Sequence, residues 1–385
     1  MKKTLTLIIV CTLVFLSACG PNLGSIQPTS TSGGSAYDES GSTSIASPST
    51  PVLSSTFLPS ISFDVEGVDI EPIRTHRTIA VLPLTPLSSN EPSDSLAWTL
   101  YSTDDGWTKS LLSIAVESSE VLWFGTLTSG IVRFDGKTWS RYTTEDGLAD
   151  NAVRELILTP DGNLWVGTAG GGISYFNGKS WITYTTKDGL AGNHIQAMEL
   201  APDGTLWVAT DTRGLSYFDG QAWRQAILPD EWCPIDIFNI TISADGDLWA
   251  GGVGCISHFD GTQWFYYMLG GWTYVSDMLI SPNGVLWFGH GDTGVPGFSS
   301  LEGEQLVYYT SEDDSSINGI SALAIDGAGG LWVGGYRGGI TYFDGEYART
   351  SSTPFGVVKV FDIAVTDGVI WITSDKGLIR YSPSE

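Results

Sequence analysis

A Leu-Trp or Ile-Trp pair recurs seven times in this chain, with its tryptophan at Trp123, Trp165, Trp207, Trp249, Trp287, Trp332 and Trp371. The intervals between them are 42, 42, 42, 38, 45 and 39 residues. Self-similarity at a period near forty, with strand-like content in every unit, marks a β-propeller built from one small sheet per repeat. Such a unit cannot bury its apolar faces alone, so the repeats must pack on one another around a ring.

One repeat shows how a blade is written. Residues 152–159 are rich in aliphatic side chains and end at Pro160-Asp161-Gly162. Leu164-Trp165-Val166-Gly167-Thr168 follows, then a glycine turn at 169–172, a third strand at Ile173–Phe176 and the dipeptide Asn177-Gly178. Residues 179–185, with Trp181 and Tyr184, complete the unit. Four short strands separated by turn chemistry read as an antiparallel meander. Asp-Gly or Asn-Gly recurs in phase in the other repeats, and these aspartates read as turn formers rather than as a calcium or catalytic array.

The seventh repeat is incomplete. In the first three repeats a fourth-strand tryptophan (Trp139, Trp181, Trp223) stands sixteen residues after the second-strand one. The same step from Trp371 passes Glu385, whereas Ala97-Trp98-Thr99-Leu100-Tyr101 carries the missing pattern. The expected fold is therefore all-β: a seven-bladed propeller of four-stranded antiparallel blades, closed by the strand at about 97–101 completing the last blade. Closure of this kind removes open sheet edges and suits a monomer.

The default binding face of such a ring is the rim made by the connections that enter the first strands and those between second and third strands. It comprises segments near 103–111, 144–152, 186–194, 228–236, 268–275, 311–319 and 351–358, and it nominates Trp107, Asn151, Asn193, His194, Trp232, Trp272, His290 and Asn318 as ligand contacts. Of fifteen tryptophans, twelve belong to second or fourth strands and read as packing. Trp107, Trp232 and Trp272 stand on the rim, where they suit carbohydrate stacking, yet they occupy the slot that Leu148 and Leu190 fill in other repeats. Structural plugs are the preferred reading. His194 and His290, with Asp292 nearby in sequence, are a weak metal hint; no catalytic triad or HExxH spacing occurs, and no metal site, cofactor or catalytic residue is assigned.

The strings Gly-Leu-Ala-Gly-Asn-His-Ile (189–195), Ala-Pro-Asp-Gly-Thr-Leu-Trp-Val-Ala-Thr (201–210) and Gly-Leu-Ser-Tyr-Phe-Asp-Gly (214–220) resemble the two-component regulator propeller repeat. The similarity covers roughly 95–385. The resemblance implies an extracytoplasmic sensor-type propeller with a habit of binding ligands or partners, here without kinase domains. Streptogramin-lyase propellers look similar at this level, which gives the alternative: a metal-dependent enzyme that opens a cyclic ester.

Lys2-Lys3, an apolar stretch from Leu5 to Leu16, and Leu16-Ser17-Ala18-Cys19 read as a secretory signal. The four-residue ending resembles a bacterial lipoprotein signal, which implies lipidation of Cys19. Three segments are expected: a signal peptide at 1–19, a Ser/Thr/Pro/Gly-rich tether without structure at 20–94, and the propeller at 95–385. Within the tether, Val65–Leu84 is more apolar and suited to packing on the outside of the ring.

The 43 acidic residues outnumber 18 basic ones, for a formal charge of −25. That excludes nucleic acid, or an anionic membrane held by charge, as a partner. Cys233 and Cys255 are the cysteines within the propeller, and both fall on one rim, so in an oxidising compartment they are expected to form a disulfide. The preferred function is a non-catalytic, lipid-anchored extracytoplasmic propeller that binds an extracellular small molecule or glycan, or an envelope protein.

Overall fold

The computed structural model describes residues 68–70, 72–78, 81–83, 98–102, 111–211, 214–229, 236–269, 273–291, 296–310, 317–337, 339–351, 353–356 and 358–382. The signal, Cys19, Trp107, Trp232, Cys233 and Trp272 lie outside the described residues.

Seven antiparallel sheets form the ring, each a meander whose first strand is innermost. The inner strands are Leu111–Val116, Val153–Leu158, Ile195–Leu200, Ile237–Ile242, Val275–Ile280, Ile320–Ile325 and Val360–Thr366, defining blades 1 to 7. The last blade is closed as the sequence predicts. Trp98–Tyr101 pairs antiparallel with Gly377–Tyr381, in the register Tyr381↔Trp98 to Leu378↔Tyr101.

The repeated tryptophans hold the seams between blades. Trp165 of blade 2 lies 5.6 Å from Phe218 and 6.0 Å edge-on from Trp223, both of blade 3. Trp287 reaches Phe343 across the seam from blade 5 to blade 6 at 5.9 Å, and Trp332 reaches Tyr381 of blade 7 at 5.9 Å. Aromatic pairs at such separations add to the free energy of area burial. In five of the seven Trp strands a glycine lets the seam close. A Cβ built on Gly125, Gly167, Gly251, Gly289 or Gly334 would come within 2.7 Å of a Val or Ile methyl that opens the inner strand of the next blade.

Turn chemistry accounts for the recurrent acids. After each of five third strands the side chain of Asp135, Asn177, Asp219, Asp260 or Asp344 accepts two backbone N–H bonds, at 2.7–3.0 Å. The glycine that follows Asp135, Gly136, has φ +84°, a region open to glycine at little cost.

Three short strands occupy the end of the segment read as a tether. Val68–Ile70 pairs in parallel with Trp264–Met268, the outer strand of blade 4. Ile73–Thr78 does the same on Gln305–Thr310 of blade 5, and Val81–Pro83 on Ala348–Ser351 of blade 6. The Arg74 guanidinium also donates to the Met268 carbonyl at 2.7 Å. These strands satisfy edge groups that would otherwise face water or another chain. Strands within 68–83 thus add to the outer edges of three blades, where the sequence reading expects a tether without structure.

Cys255 is disulfide-bonded; its expected partner, Cys233, is outside the described residues. With a Cys233–Cys255 bridge, the mature protein unfolded without reductant should show no titratable thiol at either position. Two thiols there in a thiol assay under denaturant would disprove the pairing.

Candidate functional site

Every inner strand breaks register at the same point. The ladder to the second strand skips one residue in each blade: Leu112, Arg154, Gln196, Phe238, Ser276, Ser321 and Phe361. A bulge leaves its extra residue unpaired and re-aims the side chain. All seven bulged residues line a single cavity of about 290 Å³ in the bore of the ring. Tyr274, just before the inner strand of blade 5, and Tyr336, just after the second strand of blade 6, complete its aromatic wall. The Phe238 and Tyr274 rings are 4.7 Å apart at 48°. Burial pushes the Tyr274 hydroxyl up to about 12.

Beneath this row stand Ser113, Glu155, Asn239, Asp277 and Asp362. Two of the carboxylates stitch blades together. Asp277 Oδ2 accepts from the Leu323 N–H of blade 6 at 2.7 Å, while its Oδ1 accepts from its neighbour Met278 N–H and from Asn239 Nδ2 of blade 4, at 2.8 and 3.1 Å. Asp362 Oδ2 accepts from the Ile114 N–H of blade 1 at 2.9 Å, and its Oδ1 accepts from Ile363 N–H at 2.7 Å. Between them, Ser321 of blade 6 donates to the Val360 carbonyl of blade 7 at 2.7 Å.

Enclosure by seven blades disfavours charge here, although the bore leaves these groups only half-buried by surface area. Burial raises Asp277 and Asp362 to about 7, and the Asp277 charge adds to the effect on Asp362. Glu199, further along the inner strand of blade 3, rises to about 7 from burial and from Asp277. Glu155 is pushed well above the usual carboxylate range, first by burial and then by Asp362. A group that holds its proton to higher pH when folded than when unfolded stabilises the fold at low pH and loses that contribution as pH rises through its folded value. Stability should therefore fall between about pH 5 and about pH 8. Below pH 4 the turn aspartates act in the opposite direction, since Asp135, held to about 2 by hydrogen bonds from Thr138 and Lys137, loses its contribution on protonation. Urea unfolding at pH 5, 6, 7 and 8 checks this: a midpoint that rises over the series contradicts it.

The nominated contacts have more local duties. Asn151 Oδ1 accepts from the Thr144 N–H at 2.9 Å and Asn193 Oδ1 from the Thr186 N–H at 2.8 Å, so both tie down the connection entering their inner strand. Asn318 fills the same slot in blade 6, its Oδ1 buried without a partner. Leu148 and Leu190 are buried plugs in the same connections. His194 is half-buried with Nδ1 unpartnered and is not part of the cavity lining. His290 is fully buried rather than turned toward the opening; its Nε2 bonds Ser299 Oγ at 2.9 Å between the Phe288 and Tyr308 rings. Among the described residues no group of three or more His, Cys, Asp or Glu is placed to hold a metal ion.

Two stretches of the chain, residues 147–170 and 189–212, match the family described as Two component regulator propeller. Each begins at a glycine in the connection between blades, Gly147 (φ +109°) or Gly189 (φ +115°), and runs through a bulged inner strand. The propeller-repeat stretches thus supply Arg154, Glu155 and Gln196 to the cavity. No curated protein matches the chain. Among solved structures, the ring is similar to a catalytically inactive variant of virginiamycin B lyase from Staphylococcus aureus with quinupristin, at 14% identity and TM-score 0.63, covering 74% of this chain and 97% of that one. It is similar as well to the extracellular domain of a B. thetaiotaomicron protein named as a hybrid two component system, at 18% identity and TM-score 0.61 over 75% of this chain. This chain spans 41% of that one. A third likeness is YCF48 bound to D1 peptide, at 16% identity and TM-score 0.58, covering 80% of this chain and all of that one. Identities at this level show the propeller fold alone.

Proposed function

We propose that this protein is a lipid-anchored, extracytoplasmic recognition module that acts as a monomer and captures a ligand or partner in the central cavity without covalent chemistry. One observation carries the reading: seven bulges, one per blade, deliver side chains of five different kinds to the same cavity. Packing alone needs no such variety, because the residue before each bulge is always Leu, Val or Ile. A rigid ring with a chemically varied bore is suited to recognition, since little ordering remains to be done on binding. The Leu16-Ser17-Ala18-Cys19 signal supports the anchor, and the likeness to an extracellular domain agrees with an extracytoplasmic setting. The lyase likeness extends over nearly the whole length of that enzyme, but His290 is walled off and the described residues offer no metal donor set.

The test is a thermal-shift survey of the mature protein against glycans, peptides and small amines, repeated on Tyr336→Ala. Tyr336 is 43% exposed, so the substitution leaves the core intact. A ligand at a hundred times its Kd stabilises by about 2.7 kcal/mol. A stabilisation that is lost in the variant supports the cavity as the site. One that is unchanged in the variant places recognition elsewhere and refutes this reading.

A further inference from the structure

Resting on that reading, we propose that the bore takes the carboxylate of a small organic acid with an apolar tail, whether a free acid or the C-terminus of a peptide, on the guanidinium of Arg154. The order of the bulged residues around the ring divides the cavity into arcs. Arg154 and Gln196 hold neighbouring places on blades 2 and 3, flanked by Phe238 of blade 4 on one side and by Leu112 and Phe361 of blades 1 and 7 on the other. Blades 5 and 6 place the small Ser276 and Ser321 at this level.

Arg154 is the single cation of the lining, and it is exposed. Among the described residues its guanidinium has no ion pair or hydrogen bond, and the Gln196 amide has none either. In a chain with 43 acidic residues against 18 basic ones, that leaves the donors to whatever enters the bore. A guanidinium fork pairs with a carboxylate through two parallel N–H bonds. A further donor stands across the cavity: the Tyr274 hydroxyl of blade 5, without a hydrogen-bond partner among the described residues, lies near enough to feel the Arg154 charge. The carboxyl groups beneath do not compete for the guanidinium. Asp277 and Asp362 spend both oxygens on protein donors, and the charges acting on Glu155, Glu199 and Asp362 are chiefly those of other carboxylates. With Glu199, Asp277 and Asp362 raised to about 7 by burial, and Glu155 well above the usual range, these groups mostly hold their protons at pH 6. Arg154 is then the charge that a ligand meets, and an ordinary carboxylic acid is ionised at that pH.

The wall determines what the carboxylate is attached to. Phe238, Phe361 and Leu112 give apolar surface on both sides of the polar arc, and the Tyr274 ring packs on Phe238 at 4.7 Å. A phenyl or alkyl tail buried against them adds its transfer free energy to the ion pair. A cavity of about 290 Å³ sits at the small end of ligand sites, which suits one acid group on one short tail. A single cation balances one negative charge and leaves a dianion such as phosphate only half neutralised.

Calorimetric titration of the full chain in detergent, at pH 6, tests this with hydrocinnamate, its primary amide, a short peptide ending in a free phenylalanine carboxylate, the same peptide amidated, phosphate and cellobiose. The expected result is binding of hydrocinnamate or the free-acid peptide at least tenfold tighter than its own amide. Arg154→Gln abolishes that preference, and Tyr274→Phe weakens acid binding severalfold, with the unfolding temperature of each variant confirming the fold. Preference for hydrocinnamate over the peptide identifies free acids as the source; the reverse identifies peptide C-termini. Amides binding as tightly as the acids, or an acid preference that survives Arg154→Gln, overturns the proposal. So does the absence of acid binding. Phosphate binding tighter than hydrocinnamate overturns the carboxylate assignment. Cellobiose binding that Tyr336→Ala weakens, with no acid bound, overturns it too while leaving recognition by the cavity in place.

Discussion

Replacing Trp98 by alanine should destabilise the protein by about 3–5 kcal/mol, the range for losing a large aromatic from a packed site. Trp98 is 8% exposed and its ring lies 4.2 Å from that of Tyr381. It belongs to the cluster formed by Trp332, Val358, Val360 and Ile379. The loss is not confined to one pocket, because Trp98 anchors the strand that completes blade 7. Without it, Gly377–Tyr381 becomes an open edge and the ring loses its lock. Hydrogen exchange should show Gly377–Tyr381 and Trp98–Tyr101 losing protection together, ahead of blades 2 and 3. A cost below about 1 kcal/mol in urea unfolding would mean that closure does not depend on this strand.

Gly167→Val should be the most damaging of the small substitutions. An added Cβ at this position meets Ile195 Cγ2 at 2.7 Å, Ile195 Cβ at 3.1 Å and Met198 Sδ at 3.3 Å. These atoms belong to the inner strand of the next blade, and a strand held on both sides cannot retreat. Overpacking of this kind costs about 1–3 kcal/mol. Ile195→Ala provides the control: it should cost less in the Gly167→Val background than alone, because it removes the clashing atoms. Strict additivity of the two would disprove a steric origin. Blade 3 shows that the seam accepts some variation, since Ala209 occupies the corresponding place and is fully buried.

The architecture was largely written in the sequence, because the features that make it are periodic. The Leu/Ile-Trp pairs, the Asp-Gly turns and the stray fourth strand at 97–101 each repeat or complete a pattern, and all reappear as strands, turns and closure. The cavity was much less legible. Its lining comes from the bulged position, whose residues in chain order are Leu112, Arg154, Gln196, Phe238, Ser276, Ser321 and Phe361. No motif joins them. The available signal was a contrast: a variable position following an invariably aliphatic one in every repeat. Asn151 and Asn193 are polar residues of the rim, but they recur at one slot because they share a local duty, here holding a connection. His290 was misplaced for a related reason. It stands where Thr126, Thr168 and Thr210 stand, and those side chains turn inward to the carbonyls of Gly130, Gly172 and Gly214. The parallel strands at Val68–Pro83 depend on partners more than 190 residues away and left only a rise in apolar content.

Those three strands also set the order in which the molecule yields to force. A pull on the chain upstream of Val68 first meets the contacts on blade 4, then those on blade 5, then those on blade 6. Only after all three have peeled does tension reach Trp98–Tyr101 and the closure of the ring. The strands therefore act as a sacrificial strain relief, able to release chain length while the bore keeps its shape.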